Sequence, residues 1–434
     1  MRAVVLGGGG FRVPLIGRAL RAARLGIDEL ILYDISPDRL RTILLVLEQA
    51  GAGDSQAIAV RATGDLDDAL RGADLVFSAM RVGGLDGRVH DERLALELGL
   101  IGQETVGAGG LASALRTVPE AVRIAHRIAE LAPAAWVITM TNPAGIVTEA
   151  MSPVLGDRVI GVCDSASGLV ARASRALGAD PDTTEVDYVG LNHLGWLREL
   201  RVDGHDSLPG LLDDPAALAS IEEGRLFGQP FLQALGALPN EYLYYFYDAR
   251  TALHSIRAAA QTRGEHVREE QRAFYAAASA RPHQAGALWQ QANDERNSSY
   301  FAELRGTDQT RDVEDIAGGG YEGIAAAAAR ALTGGPPARL ILNVPNRGTV
   351  PGLPADAVVE VGCRVDTSGA RPLPVGPPSE HQLGLMSSVK ASERAIIEAA
   401  LTGSRSALLR AFAVHPLVGS LASASRLAED ALGS

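Results

Sequence analysis

The chain has 434 residues, 47% hydrophobic and 21% charged, with 48 glycines and 22 prolines, which excludes a disordered, collagen-like or disulfide-stapled protein. Its length exceeds the roughly 250–300 residues at which one hydrophobic core stops growing, so two lobes are expected. Forty Lys and Arg against 52 Asp and Glu leave a net charge of −12, which argues against nucleic-acid or anionic-membrane partners, because neutralising phosphates needs a basic surface.

The opening MRAVVLGGGG is a strand-length apolar run followed at once by glycines, without a signal-peptide h-region, and reads as a cytoplasmic N-terminus. No run of about 18 uncharged apolar residues follows, so no membrane span is expected. Short apolar runs then alternate with helical patterns: strand Ala3–Leu6, helix Leu15–Leu25, strand Leu30–Tyr33, helix Asp38–Ala50, and strands Ile58–Arg61 and Leu75–Ala79. A long helix over Ala112–Leu131 leads to a buried strand, Trp136–Met140. Val159–Val162 and Val186–Gly190 continue the pattern, and Trp196–Val202 reads as a half-exposed strand leaving it. From about residue 208 to Leu332 helical and irregular segments dominate. Strands return at Leu340–Val344 and Val358–Cys363, followed by helices near 380–401 and 404–412 and an amphipathic stretch over 420–434. This order predicts an α/β fold with a Rossmann-like doubly wound N-terminal lobe and an interleaved α+β C-terminal lobe. The expected division is residues 1–195 for dinucleotide binding and residues 196–434 for substrate and metal.

Gly7, Gly8, Gly9 and Gly10 sit between a buried strand and a helix, where a dinucleotide pyrophosphate meets backbone N–H groups and a helix N-terminus. The third glycine of the usual fingerprint is replaced by Arg12. Asp34, at the end of the next strand, is spaced to take a ribose hydroxyl pair and to repel a 2′-phosphate, which favours NAD over NADP. A tight turn with a capping Asp would explain the same residues.

Cys163 and Cys363 are the only cysteines. Cys163 and Asp164 end one strand and His193 ends another, so a thiolate and an imidazole can converge on one crevice as metal ligands. The plainer reading is a small buried hydrophobe and a satisfied core histidine. Arg81 and Arg88 flank a Gly-rich stretch suited to a phosphate or carboxylate. Glu104 lies in Gly102-Gln103-Glu104-Thr105, ahead of a glycine-led helix. Tyr242, Tyr244, Tyr245 and Tyr247 place four of nine tyrosines within six residues, a pattern more typical of core than of catalysis.

Taken in order, the glycine-rich turn, Arg81-x-Gly83 with Arg88, Gly102–Thr105, Thr141-Asn142-Pro143-Ala144, Gly161–Asp164, Gly190-Leu191-Asn192-His193, Tyr242–Tyr245 and Thr262-Arg263 resemble glycoside hydrolase family 4, the NAD- and divalent-metal-dependent 6-phospho-glycosidases. The resemblance runs to about residue 417 through Asn343–Asn346, Val361–Cys363 and His415–Leu417. It implies Cys163 and His193 as manganese ligands, Tyr242 as base and Glu104 as the acid group that makes the tyrosine more basic. It further implies Asn142, Arg88 and Arg263 as substrate-binding residues and Asp164 as a proton donor of the kind found in members that cleave α-linkages. A thiolate is a soft partner for Mn2+, so the metal's identity follows from the resemblance alone. The implied reaction removes hydride from C3 of the sugar to NAD+, deprotonates C2, expels the C1 substituent, adds water and returns the hydride.

Ser165-Ala166-Ser167-Gly168 departs from the Pro-containing segment usual after the Cys-Asp pair. Segments around Leu238–Tyr242, Thr262–Gly264 and Lys390–Glu393 look most like the 6-phospho-β-glucosidase branch, whereas Asp164 points to the α branch. The expected partner is a phosphorylated disaccharide or glycoside, acted on by a homo-oligomer, dimer or tetramer. The competing readings are a lactate/malate-type NAD-dependent dehydrogenase and a non-catalytic NAD-binding regulator.

Overall fold

The structure is a computed structural model that describes residues 1–51, 58–298 and 320–433. Part of the irregular stretch expected before Leu332 and the last residue of the C-terminal amphipathic segment fall outside the described residues.

Among the described residues thirteen strands form one sheet. They are β1 (Arg2–Leu6), β2 (Glu29–Tyr33), β3 (Ala59–Thr63), β4 (Leu75–Ser78), β5 (Trp136–Thr139), β6 (Val159–Gly161), β7 (Glu185–Leu191), β8 (Leu194–Val202), β9 (His205–Asp206), β10 (Leu238–Pro239), β11 (Ala338–Pro345), β12 (Val358–Asp366) and β13 (Gly369–Pro372). The first six are parallel in the order β3-β2-β1-β4-β5-β6, the doubly wound arrangement that opens a crevice at the carboxyl ends of the strands. Alternation along β1 shows why the strands read as unbroken apolar runs. Ala3 and Val5 pack with Ile16, Leu20 and Leu47 on one face, and Val4 and Leu6 pack with Ile124, Ile128 and Met151 on the other. Both faces are covered, so neither can be polar.

The pattern does not continue from β6 to β7, as the sequence order suggested. β11 pairs antiparallel to β6 at Asn343–Gly161, β12 follows it, and β7 joins antiparallel to β12 at Glu360–Gly190. The long β11–β12 ladder supplies eight residue pairs, more than the short β6 offers any neighbour, and so occupies the site beside it. This interleaving sets Gly161, Asn343, Glu360 and Gly190 in one row across the sheet. β8 stays in the sheet between β7 and β10 rather than leaving it.

Two helix starts also differ from expectation. Arg88 lies on a helix, Gly84–Glu97, rather than in a loop. Gly83 caps that helix at φ +81°, a conformation that favours glycine, and the helix signal is masked by the glycines that build its entry. The long helix begins at Gly107 rather than Ala112 for the same reason.

Candidate active site

The crevice is built from the ends of β4, β5 and β6, the turn between β7 and β8, and three helix starts. Thr141 ties two strand ends together, since its hydroxyl contacts Ser78 Oγ at 2.9 Å and accepts from the Met80 N–H at 3.0 Å. Asn142 follows, joined to Pro143 by a cis peptide, with a buried Oδ1 that has no hydrogen-bond partner among the described residues. Cys163 caps the helix Asp164–Ala176 and is 1% exposed; Asp164 is its first, partly exposed residue.

His193 occupies the β7–β8 turn at φ +61° and is 1% exposed. Its ring stacks on Tyr242 with centroids 3.9 Å apart and planes 13° from parallel. Both ring nitrogens are buried without a hydrogen-bond partner among the described residues. Burial pushes its pKa down to about 3, against a weaker upward pull from Glu104, so the imidazole is neutral with a lone pair to give. The Cys163 thiol is pushed well above its usual value by burial and by Glu360 and Asp164, so a thiolate here calls for a cation beside it. This donor pair fits a divalent ion. Among the described residues no set of three or more His, Cys, Asp or Glu is grouped so as to hold one.

Charge is dense around Tyr242, itself 5% exposed in a short 3-10 turn, Glu241–Leu243. Arg88 is buried and interacts electrostatically with Tyr242. Its Nε donates to Glu92 at 2.7 Å and its Nη1 pairs with Glu104 at 2.9 Å. Glu104 also takes Arg81 at 2.5 Å. Burial alone would raise the Glu104 carboxyl, but Arg81 and Arg88 outweigh it and hold its pKa at about 2. Glu92 accepts the Gly264 N–H at 2.7 Å, fixing the start of the helix Arg263–Ala280 that carries Arg263. Burial and the nearby Arg12, Arg263 and Arg88 pull Arg296 down to about 9, against Glu104. So much positive charge at one place suits an anion.

The glycine loop is folded on itself. The N–H groups of Gly8, Gly9 and Gly10 bond to Tyr33 O at 2.7 Å, Asp34 Oδ2 at 3.0 Å and Gly7 O at 2.8 Å. A Cβ on Gly7, at φ +78°, would meet Ala79 O at 2.7 Å. The glycines therefore let the loop lie flat against β2 and β4, and a phosphate falls to the N–H groups nearer the helix Val13–Ala23. Asp34 also accepts from the Ser36 N–H at 2.9 Å, so the capping and ribose-facing readings describe one carboxylate at the lip of the loop. Tyr275 and Trp289, from the later half of the chain, donate to Gly9 O at 2.6 Å and Phe11 O at 2.7 Å.

The structure thus gathers His193, Tyr242, Arg88 and Glu104, leaves Cys163 beside Glu360, which bonds to the residue before His193, and sets Arg263 beside Arg296 through an Nη2 bond to its carbonyl at 3.2 Å. Tyr244 and Tyr245 are packing residues, Tyr245 being 1% exposed. Sequence reading passed over Glu92, Arg296, Glu241 and Glu360. Glu241 accepts from Ser165 Oγ at 2.7 Å, which gives the unusual segment after Asp164 a purpose: it ties that helix to the residue before Tyr242. Glu360 sits one residue before the Val361–Cys363 motif.

Comparison with known proteins shows the family. The family 4 glycosyl hydrolase model matches residues 2–179 and the family 4 glycosyl hydrolase C-terminal domain matches residues 188–418. The chain is 30% identical to a 6-phospho-beta-glucosidase of Escherichia coli, over 99% of this chain and 94% of that protein. The 6-phospho-beta glucosidase of Thermotoga maritima, solved with NAD and glucose-6-phosphate, superposes with a TM-score of 0.83 at 25% identity, covering 100% and 98% of the two chains. A 6-phospho-alpha-glucosidase from gut microorganisms, solved with NAD and Mn2+, superposes at 0.81 and 25% identity, covering 100% and 97%. Among the described residues no helix is long and apolar enough to cross a membrane. The chain belongs to the family 4 glycosyl hydrolases and is a glycosidase.

Proposed function

We propose that the protein hydrolyses 6-phospho-β-glucosides, with NAD+ and a divalent metal, manganese, as cofactors. The observation that carries this reading is the stack of Tyr242 on His193 beside Arg88, which sets a phenol against an imidazole whose nitrogens are free for a metal. Cys163 and His193 hold the ion, and the turn at Gly7–Gly10 with Asp34 receives the dinucleotide. When bound, these cofactors supply a reversible hydride acceptor for C3 of the sugar and a Lewis acid for its oxygen.

The chain's own residues do the rest. With C3 oxidised, the C2 proton is acidic and Tyr242 Oη takes it. The C–H electron pair becomes the C1–C2 double bond as the bond from C1 to the aglycone oxygen breaks, and the aglycone takes a proton from solvent. Water adds its hydroxyl at C1 and gives a proton back to solvent, the Tyr242 phenol, which exchanges with solvent, protonates C2, and C3 is reduced again. Arg88 stands beside the phenol, and Glu104 and Glu92 hold that guanidinium in place. Arg263, Arg88 and Asn142 receive the 6-phosphosugar. On this reading residues 1–195 carry the dinucleotide and both metal ligands, and residues 196–434 bring in Tyr242 and Arg263.

The 30% identity to a 6-phospho-beta-glucosidase supports the β preference. One observation favours a second reading, in which an acid protonates a poor leaving group as cleavage of an α-linked phosphosugar requires: Asp164 lies partly exposed at the head of its helix. A panel of p-nitrophenyl α- and β-glucosides and galactosides, with and without 6-phosphate, assayed with NAD+, Mn2+ and reductant, separates the two. Fastest release from the 6-phospho-β-glucoside supports the proposal, faster release from the α-linked phosphosugar supports the second reading, and release from none of the phosphorylated compounds overturns both.

A further inference from the structure

Behind the site lies a carboxylate that the reaction above does not use. Glu360, on β12, is 1% exposed, and every strand or loop it bonds to leads to a different site residue. Its Oε1 accepts from Asn343 Nδ2 at 2.9 Å and from Asn192 Nδ2 at 3.3 Å, and its Oε2 accepts from Tyr188 Oη at 3.1 Å. Asn343 pairs with Gly161, two residues before Cys163. Asn192 precedes His193, and its Oδ1 accepts the Ala144 N–H at 3.1 Å, just after the Asn142-Pro143 bond. Tyr188 Oη accepts from Asn240 Nδ2 at 3.2 Å, two residues before Tyr242. Glu360 also interacts electrostatically with both Cys163 and Asp164.

We propose that Glu360 is a positioning residue for the metal centre, one buried carboxylate that holds the Cys163, His193, Asn142 and Tyr242 segments in register and sets a negative charge behind the cation. The argument rests on the reading of Cys163 and His193 as ligands. A carboxylate fits where a neutral group would not, because three donors converge on it from three directions and an acceptor with two oxygens satisfies all of them. Burial raises the Glu360 carboxyl to about 7 against these three donors, so it carries its full charge only with a cation nearby. Partners of this kind, one bond removed from the ligands, typically change metal affinity about 10–100-fold when altered.

The test is Mn2+ affinity of the NAD+-loaded protein, read from the electron paramagnetic resonance signal of free Mn2+, with the thiolate-to-metal absorption band of the Co2+-loaded protein as a direct report on Cys163. Glu360→Gln keeps shape and removes charge; it should weaken Mn2+ binding about 10–100-fold and shift or weaken the Co2+ band, with NAD+ affinity unchanged. Tyr188→Phe removes one donor to Glu360 without touching either ligand, and should weaken Mn2+ binding about fivefold, the worth of one hydrogen bond. If Glu360→Gln fails to fold, as loss of NAD+ binding would reveal, Tyr188→Phe alone decides. Mn2+ affinities within twofold of wild type in the folded variants overturn the proposal. A wild-type protein that binds no Mn2+ and shows no Co2+ thiolate band overturns instead the ligand reading beneath it.

Discussion

Tyr242→Phe removes one oxygen and leaves the packing intact. The ring is 5% exposed and stacks on His193 at 3.9 Å, and Phe presents the same face to the imidazole and to Tyr245. Stability and NAD+ binding should therefore stay close to wild type. If the hydroxyl is the base that takes the C2 proton, its loss should cost the roughly 10²–10⁴-fold typical of a positioned general base, or about 3–5 kcal/mol of transition-state stabilisation. The loss should fall on kcat more than on KM, because the proposed reading gives substrate binding to Arg88, Asn142 and Arg263 rather than to the phenol. The assay is initial-rate hydrolysis of an activated 6-phospho-β-glucoside, run beside mass-spectrometric detection of deuterium at C2 in heavy water. Both signals should fall together. Tyr244→Phe is the control: its hydroxyl donates to Asp248 at 3.5 Å, so turnover should hold. A Tyr242→Phe enzyme with wild-type turnover and undiminished deuterium incorporation would refute the reasoning and move the base elsewhere.

Cys163→Ser and His193→Ala should each abolish the response of activity to Mn2+ while NAD+ binding, followed by fluorescence, survives; wild-type metal response in either variant would remove that residue from the ligand set. Asp164→Asn should barely change cleavage of an activated 6-phospho-β-glucoside, whose leaving group needs no acid, whereas an abolished cleavage of an unactivated α-linked substrate would identify Asp164 as the general acid. His415 is buried and its pKa is lowered to about 4 by burial, and its Nδ1 accepts the Leu417 N–H at 3.1 Å. The unfolded chain takes up a proton near pH 6.5 that the folded chain refuses until about pH 4, so stability should fall on acidification through that window, by an amount on the order of 3 kcal/mol from this residue. Thermal midpoints measured from pH 7 to pH 4 should decline less steeply in His415→Asn, and an identical decline would contradict the assignment.

The parallel half of the fold was legible because its strands other than the half-exposed edge strand β3 are buried on both faces and read as apolar runs between helical periods. The antiparallel insertion was not, since β11 follows β6 by more than 170 residues and nothing local in Val159–Gly161 says which strand will lie beside it. At the candidate site, the residues to which the proposal gives chemical roles, Cys163, His193, Tyr242 and Arg88, lie in the motifs that carried the family resemblance. Those that hold them, Glu92, Glu241 and Glu360, are single carboxylates inside helices, turns or strands, and only the fold shows that each bonds across the chain to a distant segment. The helix carrying Arg88 was hidden by the glycines at its entry, whose low helix propensity outweighs its signal in sequence but not in the packed structure.

The central claim is that hydride is borrowed and returned within one turnover. It is tested most directly by supplying NAD+ at a small fraction of the substrate concentration, with Mn2+, and following sugar release and absorbance at the NADH band in the same cuvette. The account predicts many sugars released per NAD+ with no accumulation of NADH, and no release when NAD+ is withheld. NADH rising in step with product, or full activity in protein stripped of the dinucleotide, would contradict it.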